Sequence, residues 1–234
     1  MALTFTGEYF IPGHAPKRVE DDHMERYRFA ARFVLGRTVL DIACGVGFGS
    51  RLLAEAGARR VDGVDISPQV IDYARAHYGS ERAVFTVGDI ASFSAPEPYD
   101  VVVCFETIEH VTDHLAALRN LARLVRKGGV LLLSTPNRLI TSPHARSMAD
   151  APANRFHVRE FTIAEITAAL RDAEFAVAGD GVFGQRQQPY FANRYLRAIY
   201  RRLWNPDLRA SPRVTPVTKL APRYIVVVAH KPGR

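Results

Sequence analysis

The chain has 234 residues, 47% hydrophobic and 24% charged, the size and make-up of one globular domain, which excludes a disordered tail or a collagen-like repeat. Thirty-one basic residues against 24 acidic ones give a formal charge of +7. No apolar run approaches the roughly 18 residues needed to cross a bilayer, and Met1 to Gly13 lacks a basic opening followed by a long apolar stretch, so the expected location is the cytoplasm.

Residues 1–37 read as an N-terminal arm and helix. Thr38 to Ala43 is a short apolar run followed by glycines, the pattern of a strand buried on both faces. Ser50 to Ala56 reads as a helix and Val61 to Asp65 as a second strand. Ser67-Pro68 opens the next helix, because serine suits an N-cap and proline the first turn; it runs from Gln69 to His77. Val84 to Val87 is a third strand and Asp100 to Phe105 a fourth. Asp113 to Val125 is a helix, with Leu115, Leu118, Leu121, Leu124 and Val125 at helical spacing, and Gly129 to Ser134 a fifth strand. Such alternation predicts a parallel sheet with helices on both faces.

The later chain departs from the pattern. Pro136 to Phe161 reads as a loop insertion, Thr162 to Asp172 as a helix and Phe175 to Val182 as a strand. The last strand is the β-branched run Tyr224 to Ala229. Between these two strands lies a basic, aromatic segment, Gln185 to Arg223, with nine basic residues against the single Asp207. Tyr190 to Leu203 reads as its helix. That charge attracts nucleic acid, an anionic membrane or a charged substrate without choosing among them, and a lid, a homodimer contact or a plain solvated face fits it equally.

The strongest local signal is Asp41-Ile42-Ala43-Cys44-Gly45-Val46-Gly47-Phe48-Gly49, a glycine-rich turn between the first strand and its helix. Glycine there lets backbone approach a ligand, and amides at the helix start can meet an anion. Asp65 closes the second strand 20 residues beyond Gly45, where a carboxylate can accept from both ribose hydroxyls. Glycines at 45, 47 and 49 do not match the Gly-x-Gly-x-x-Gly spacing of dinucleotide enzymes. Asp89 and Ile90 follow the third strand, placed to reach an adenine amino group and to pack on its ring. Cys44 and Cys104, too few for a disulfide framework and not a Cys-x-x-Cys pair, read as apolar fillers.

Taken together, Asp41 to Gly49, Asp65, Gly88-Asp89-Ile90, Cys104-Phe105-Glu106-Thr107-Ile108-Glu109-His110-Val111 and Val125 to Gly129 resemble the class I S-adenosylmethionine-dependent methyltransferases. The resemblance implies a Rossmann-like α/β domain over 1–234, with a seven-stranded, mostly parallel sheet, an antiparallel last strand and S-adenosylmethionine as methyl donor. It implies donor contacts from Asp41, Ala43, Gly45, Gly47, Asp65, Ile66, Asp89, Ile90, Phe105 and Glu106. Within that superfamily, Gly7 to Gly13, His23 to Tyr27, Ser134 to Arg138 and Asn154 to Phe161 resemble bacterial enzymes of sugar and polysaccharide O-methylation, including those of methylmannose polysaccharides. This narrower likeness implies a sugar or oligosaccharide acceptor and an N-terminal arm over the donor, with Tyr9 and Arg26 as contacts.

A sugar hydroxyl needs alignment behind the activated methyl and a base to take its proton. His110, His144 and His157 fall on loops beyond strands four and five and, with Glu106, are the catalytic candidates. A divalent ion such as Mg, held by Glu106, His110 and His144, is the alternative way to acidify the hydroxyl. The rival functions are an RNA or other nucleic-acid methyltransferase working through residues 185–223, a small-molecule O-methyltransferase, and a noncatalytic binding module. The strand-four end reads Cys-Phe-Glu-Thr, unlike the Asn/Asp-Pro-Pro-Tyr/Phe pattern of base-amino methylation.

Overall fold

The computed structural model describes residue 11 and residues 13–233. Helix α1 (Lys17–Ala30) leads through a 3-10 turn (Ala31–Phe33) into β1 (Thr38–Ile42), α2 (Phe48–Glu55), β2 (Arg60–Asp65), α3 (Pro68–Tyr78) and β3 (Ala83–Val87). Next come β4 (Tyr99–Phe105), a 3-10 turn (Ile108–His110), α4 (His114–Leu124), β5 (Val125–Pro136) and the one-turn α5 (Arg138–Thr141). The chain closes with α6 (Ile163–Asp172), β6 (Val182–Gln185), α7 (Arg194–Trp204), α8 (Pro206–Arg209), β7 (Thr215–Pro216) and β8 (Tyr224–His230).

Local chemistry sets several helix starts. The Ser67 hydroxyl accepts from the Val70 amide with Pro68 in the first turn, and the Asp113 carboxylate accepts from Ala116. Thr162 and Glu165 cap each other reciprocally. Each such cap gives a partner to a helix amide that otherwise has none, worth about 1 kcal/mol.

The strands form one sheet in the order β3-β2-β1-β4-β5-β8-β6-β7. The first five are parallel, while β8 runs antiparallel to both β5 and β6. Successive strand residues face opposite sides, which builds two cores. Val39, Val101, Val103 and Leu132 pack with Tyr27, Leu53 and Ile71 on one face. Leu40, Val102, Leu131 and Leu133 pack with Leu118, Leu121, Ile166 and Leu170 on the other. Cys44 and Cys104 are buried free thiols.

The expected Rossmann-like α/β sheet with a reversed strand is present, with an eighth member in place of the seven anticipated. That member, β7, pairs Thr215 and Pro216 with Gly184 and Phe183, and the Gln187 amide donates to both Thr215 and Pro216. A two-residue strand containing proline leaves no periodic trace. The strand expected over Phe175 to Val182 instead occupies Val182–Gln185. Gly179-Asp180-Gly181 turns as a 3-10 helix, and only Ala176 bridges to His230. The insertion after β5 is not all loop, because the Asn137 side chain caps α5. Among the described residues no helix is long and apolar enough to cross a membrane.

Helix α1 is fastened to this frame at two places. At one, the buried Arg186 meets the buried Asp22 at 2.5 Å, while Arg26 donates to Gln185 at 2.7 Å and Gln185 donates back to the Asp22 carbonyl at 2.9 Å. At the other, the Tyr27 ring lies over Gly49, where an added Cβ would come within 2.0 Å of the ring. Gly49→Ala is therefore expected to lower stability by about 1–3 kcal/mol through forced displacement of Tyr27. Denaturant unfolding checks this, and an unchanged midpoint would show that the ring moves freely.

Candidate active site

At the carboxyl ends of β1, β2, β4 and β5 the sheet opens into a cavity of about 880 Å³, walled on one side by Arg18, Asp22, His23, Arg26 and Tyr27 of α1. Open α/β sheets collect ligands at this end, where strand order reverses. Here β1 lies between β2 and β4, so the reversal falls at the glycine-rich turn.

That turn needs unusual backbone. Ala43, Gly45 and Gly47 have φ of 58°, 55° and 90°, and at Gly47 an added Cβ would strike Phe85 and Ala74 at 2.7 and 2.8 Å. Gly45 lines the cavity, and a Cβ there would meet nothing within 4 Å, so bare backbone faces open space. Asp65 braces the turn. Its Oδ2 accepts from the Gly45 amide and its Oδ1 from the Ser67 amide, both at 3.0 Å. Burial pushes the Asp65 carboxyl up, against the pull of these amides. A carboxylate offers about four lone-pair sites, so capacity remains for ribose hydroxyls. Ile66, 66% exposed, and the buried Phe105 present apolar surface to the cavity beside Asp65. These features fit the two halves of S-adenosylmethionine.

Of the expected donor contacts, Ala43, Gly45, Asp65, Ile66, Phe105, Glu106 and Arg26 line the cavity. Asp41, Gly47, Asp89 and Ile90 do not. Gly47 is spent on the turn. Asp89 folds back to accept from the Ala91 amide at 2.7 Å, and the Ile90 side chain packs into the second core while its carbonyl accepts from Asn120. Tyr9 lies outside the described residues. The Arg26 guanidinium is buried over the Tyr224 ring, 5.0 Å from its centroid, and its Nε has no hydrogen-bond partner.

Asp41 has a different role from the one expected. It is 1% exposed and accepts from the Ser50 hydroxyl at 2.6 Å and from the Tyr27 hydroxyl at 3.1 Å, joining α1 to the turn. Burial raises its pKa to about 7, against about 4 unfolded. The folded state thus holds a proton that the unfolded state releases, so this contribution to stability is complete below pH 4 and is lost as pH rises to about 7, a change of a few kcal/mol. Asp41→Asn is expected to flatten that part of the stability profile relative to the wild type. Parallel wild-type and variant profiles between pH 4 and 7 would refute the assignment.

The second half of the cavity is built on the loops after β4 and β5. Glu106 has φ 50°, a strained conformation for a residue with a Cβ. Ser134 holds it, its hydroxyl donating to Glu106 Oε1 at 2.7 Å and accepting from the Glu106 amide at 3.1 Å. The following 3-10 turn carries Glu109 inward, where it is 1% exposed. Its Oε2 accepts from Thr135 at 3.1 Å, whereas its buried Oε1 has no partner. Burial, reinforced by the Glu106 carboxylate, pushes the Glu109 carboxyl well above the usual range.

Two histidines face Glu109. His110 Nδ1 lies 2.9 Å from the Phe156 carbonyl, which can only accept, so Nδ1 carries the proton and Nε2 the lone pair. His157 Nδ1 lies 2.7 Å from Glu160 and its Nε2 lies 2.8 Å from the Asn154 side-chain amide, the arrangement of an Nδ1–H donor and an Nε2 acceptor. One ligand atom from each of Glu109, His110 and His157 lies within 4.8 Å of the others. The amides of Val158 and Arg159 donate to the Glu109 carbonyl and so lock the second loop against the first.

His144 is not part of this group. It is exposed, its Nε2 lying 3.0 Å from the Ala151 carbonyl, within a turn that Asp150 closes on Arg146 and Ser147. The structure thus does not bring the expected set Glu106, His110 and His144 together; the ligand atoms that converge are those of Glu109, His110 and His157, with Glu106 on the same cavity wall. The spacings Glu106-x-x-Glu109-His110 and His157-x-x-Glu160 were the available signals, while Ser134, Thr135, Asn154 and Tyr27 stood only inside segments of family resemblance, with no role assigned to them.

Comparison with known proteins agrees with this geometry. The methyltransferase-domain family matches residues 16–178. A probable S-adenosylmethionine-dependent methyltransferase of Mycolicibacterium smegmatis is 40% identical over 185 residues, covering 78% of this chain and 69% of the relative. The ubiquinone biosynthesis O-methyltransferase of Xanthomonas campestris pv. campestris is 34% identical over 194 residues, 76% of this chain and 77% of that protein. Magnesium protoporphyrin IX methyltransferase from Synechocystis PCC 6803, solved with bound S-adenosylhomocysteine, shares the fold with TM-score 0.57 at 22% identity, over 92% of this chain and 83% of that one. The glycine turn braced by Asp65, the reversal of strand order beside it and the family match together make this chain a class I S-adenosylmethionine-dependent methyltransferase.

Proposed function

We propose that the enzyme methylates a hydroxyl oxygen of a sugar or oligosaccharide that carries adjacent hydroxyls, with a divalent cation held by Glu109, His110 and His157. The observation that carries this reading is the Glu109 Oε1, buried and unpartnered beside two histidines whose Nδ1 protons are already engaged; a cation there takes the place of the Asn154 amide at His157 Nε2. Leaving a buried polar atom unpaired costs about 1–3 kcal/mol, and a cation removes that cost. Glu160 on His157 and the Phe156 carbonyl on His110 are the outer partners that orient imidazole ligands. Two histidines and a carboxylate suit a divalent metal ion with open coordination positions.

When bound, such a cation lowers the pKa of a coordinated hydroxyl, and the methyl donor brings a methyl group already activated on positively charged sulfur. The chain has to do the rest. Asp65, the Gly45 backbone and Ile66 orient the donor, while Asn154, Thr141 and Glu160 give the other side of the cavity the polar lining that a hydroxyl-rich acceptor requires. O-methylation is also the activity in the name of the Xanthomonas relative, and the segments Ser134 to Arg138 and Asn154 to Phe161, which resemble sugar O-methyltransferases, supply this wall.

The His157–Glu160 contact at 2.7 Å favours a second reading, in which the acceptor hydroxyl replaces the Asn154 amide at His157 Nε2 and gives its proton there without metal. Incubation with labelled S-adenosylmethionine and a panel of mono- and oligosaccharides separates the two. Label should enter a saccharide, fall to background with chelator and return with Mg or Mn, and Mn should raise the melting temperature of the wild type but not of His157→Ala. Chelator-resistant transfer would select the histidine base, and label in polynucleotide alone would discard the sugar acceptor.

A further inference from the structure

Helix α7 stands apart from the core. None of its 11 residues is buried, although most are large and apolar or basic. At 100° per residue, Tyr195, Ile199, Leu203, Leu196, Tyr200 and Trp204 occupy one half of its circumference, and Arg201, Arg194 and Arg202 the other, with Arg197 at the border. The Arg197 edge meets the protein body. Arg197 donates to the Phe191 carbonyl at 3.1 Å, and Tyr200 lies 5.3 Å from the Phe191 ring. The rest of the apolar half faces outward, with Leu203 75%, Tyr195 63%, Ile199 54%, Leu196 53% and Trp204 48% exposed. Soluble monomers rarely leave so many contiguous large apolar side chains in water.

We propose that α7 is an in-plane anchor that seats this enzyme on an anionic phospholipid bilayer. The occupant must satisfy both halves of the helix. An aliphatic core rimmed by arginine and aromatic rings matches the boundary between acyl chains and negatively charged headgroups, with aromatic rings at the level between them. The flanking sequence adds to the charge, because Arg209 stacks on Trp204 at 5.1 Å from its ring centroid and Arg213 and Lys219 follow. Polynucleotide answers the arginines but leaves Leu196, Ile199 and Leu203 without a partner. A second copy meeting this face about a two-fold axis would set like charges together. Docking also has a use. A recess lined by Tyr200, Arg201, Gln188 and Arg223 lies against α7, and Arg223 lines the large cavity as well, so the anchor stands one side chain from the active site.

Trp204 is the chain's single tryptophan, which makes the test direct. The full-length protein is titrated at low ionic strength with vesicles of phosphatidylcholine, with and without 30% phosphatidylglycerol (roughly the charge density of a cytoplasmic leaflet). Trp204 emission should shift to the blue and the protein should sediment with the anionic vesicles but not with the neutral ones. The double variant Ile199→Asp/Leu203→Asp should lose at least tenfold in partitioning, and Arg194→Gln/Arg202→Gln about tenfold. Both should keep wild-type methyl transfer to a soluble acceptor, since the helix contributes nothing to the core. Unshifted emission with anionic vesicles, retained sedimentation of the Ile199/Leu203 variant, a dimer that this variant dissolves, or polynucleotide that shields Trp204 while vesicles do not, would each overturn the proposal.

Discussion

Glu109→Met is expected to lower turnover by roughly 10²–10³-fold while raising the melting temperature of the metal-free protein. The two effects have one cause. The carboxyl is fully buried, its Oε1 has no hydrogen-bond partner, and burial beside Glu106 disfavours its ionised form, so in the metal-free protein it is a liability that an apolar side chain of similar volume relieves by about 1–3 kcal/mol. Retention of such a group makes sense where it performs chemistry, the usual exchange of stability for activity at active sites. Steady-state kinetics with thermal unfolding in chelator read both quantities, and affinity for S-adenosylhomocysteine should stay within about twofold because the donor half of the cavity is untouched. Unchanged turnover would remove Glu109 from the reaction, and a lowered melting temperature would show that its buried oxygen is satisfied in the native protein.

Asp65→Ala is expected to weaken donor binding by about 10–100-fold, from the loss of charge-assisted hydrogen bonds worth roughly 1.5–3 kcal/mol. Part of this loss is indirect. Asp65 accepts from the amides of Gly45 and Ser67 and so fixes the turn against which the donor lies. Asp65→Asn keeps the shape and one acceptor oxygen and should fall between the wild type and the alanine variant. Equilibrium dialysis with labelled donor measures the series. An affinity for Asp65→Ala equal to that of the wild type would place the ribose elsewhere.

What could be read from the sequence divides along physical lines. The five parallel strands were legible because each is a short apolar run, buried on both faces in β1, β4 and β5 and half-exposed in the edge strand β3, and the helices because Ser67 and Thr162 mark their starts. Asp65 and Gly45 were legible because the fold places the ends of β1 and β2 side by side. The outer strands were less so. Val182–Gln185 lies after a glycine-rich turn that blurs its start, and Thr215–Pro216 is held by the Gln187 side chain and not by its own pattern. Asp41 was assigned to the donor on its motif, and only the tertiary contact with Tyr27 shows it facing inward. The choice of His144 over Glu109 has the same origin, since the direction a loop side chain takes depends on contacts such as those of Glu109 with Val158 and Arg159, nearly 50 residues away. Arg186, one of nine basic residues in the 185–223 segment, proves to be a buried partner of Asp22, which leaves α7 as the main exposed basic surface there.

The donor pocket is the foundation of all this, and calorimetric titration of the metal-free wild type with S-adenosylhomocysteine tests it most directly. One molecule should bind per chain, with heat evolved and no dependence on added cation, and a pyridine dinucleotide should give no signal. Absence of heat with S-adenosylhomocysteine, or displacement of it by the dinucleotide, would contradict the assignment of the Gly45–Asp65 cleft.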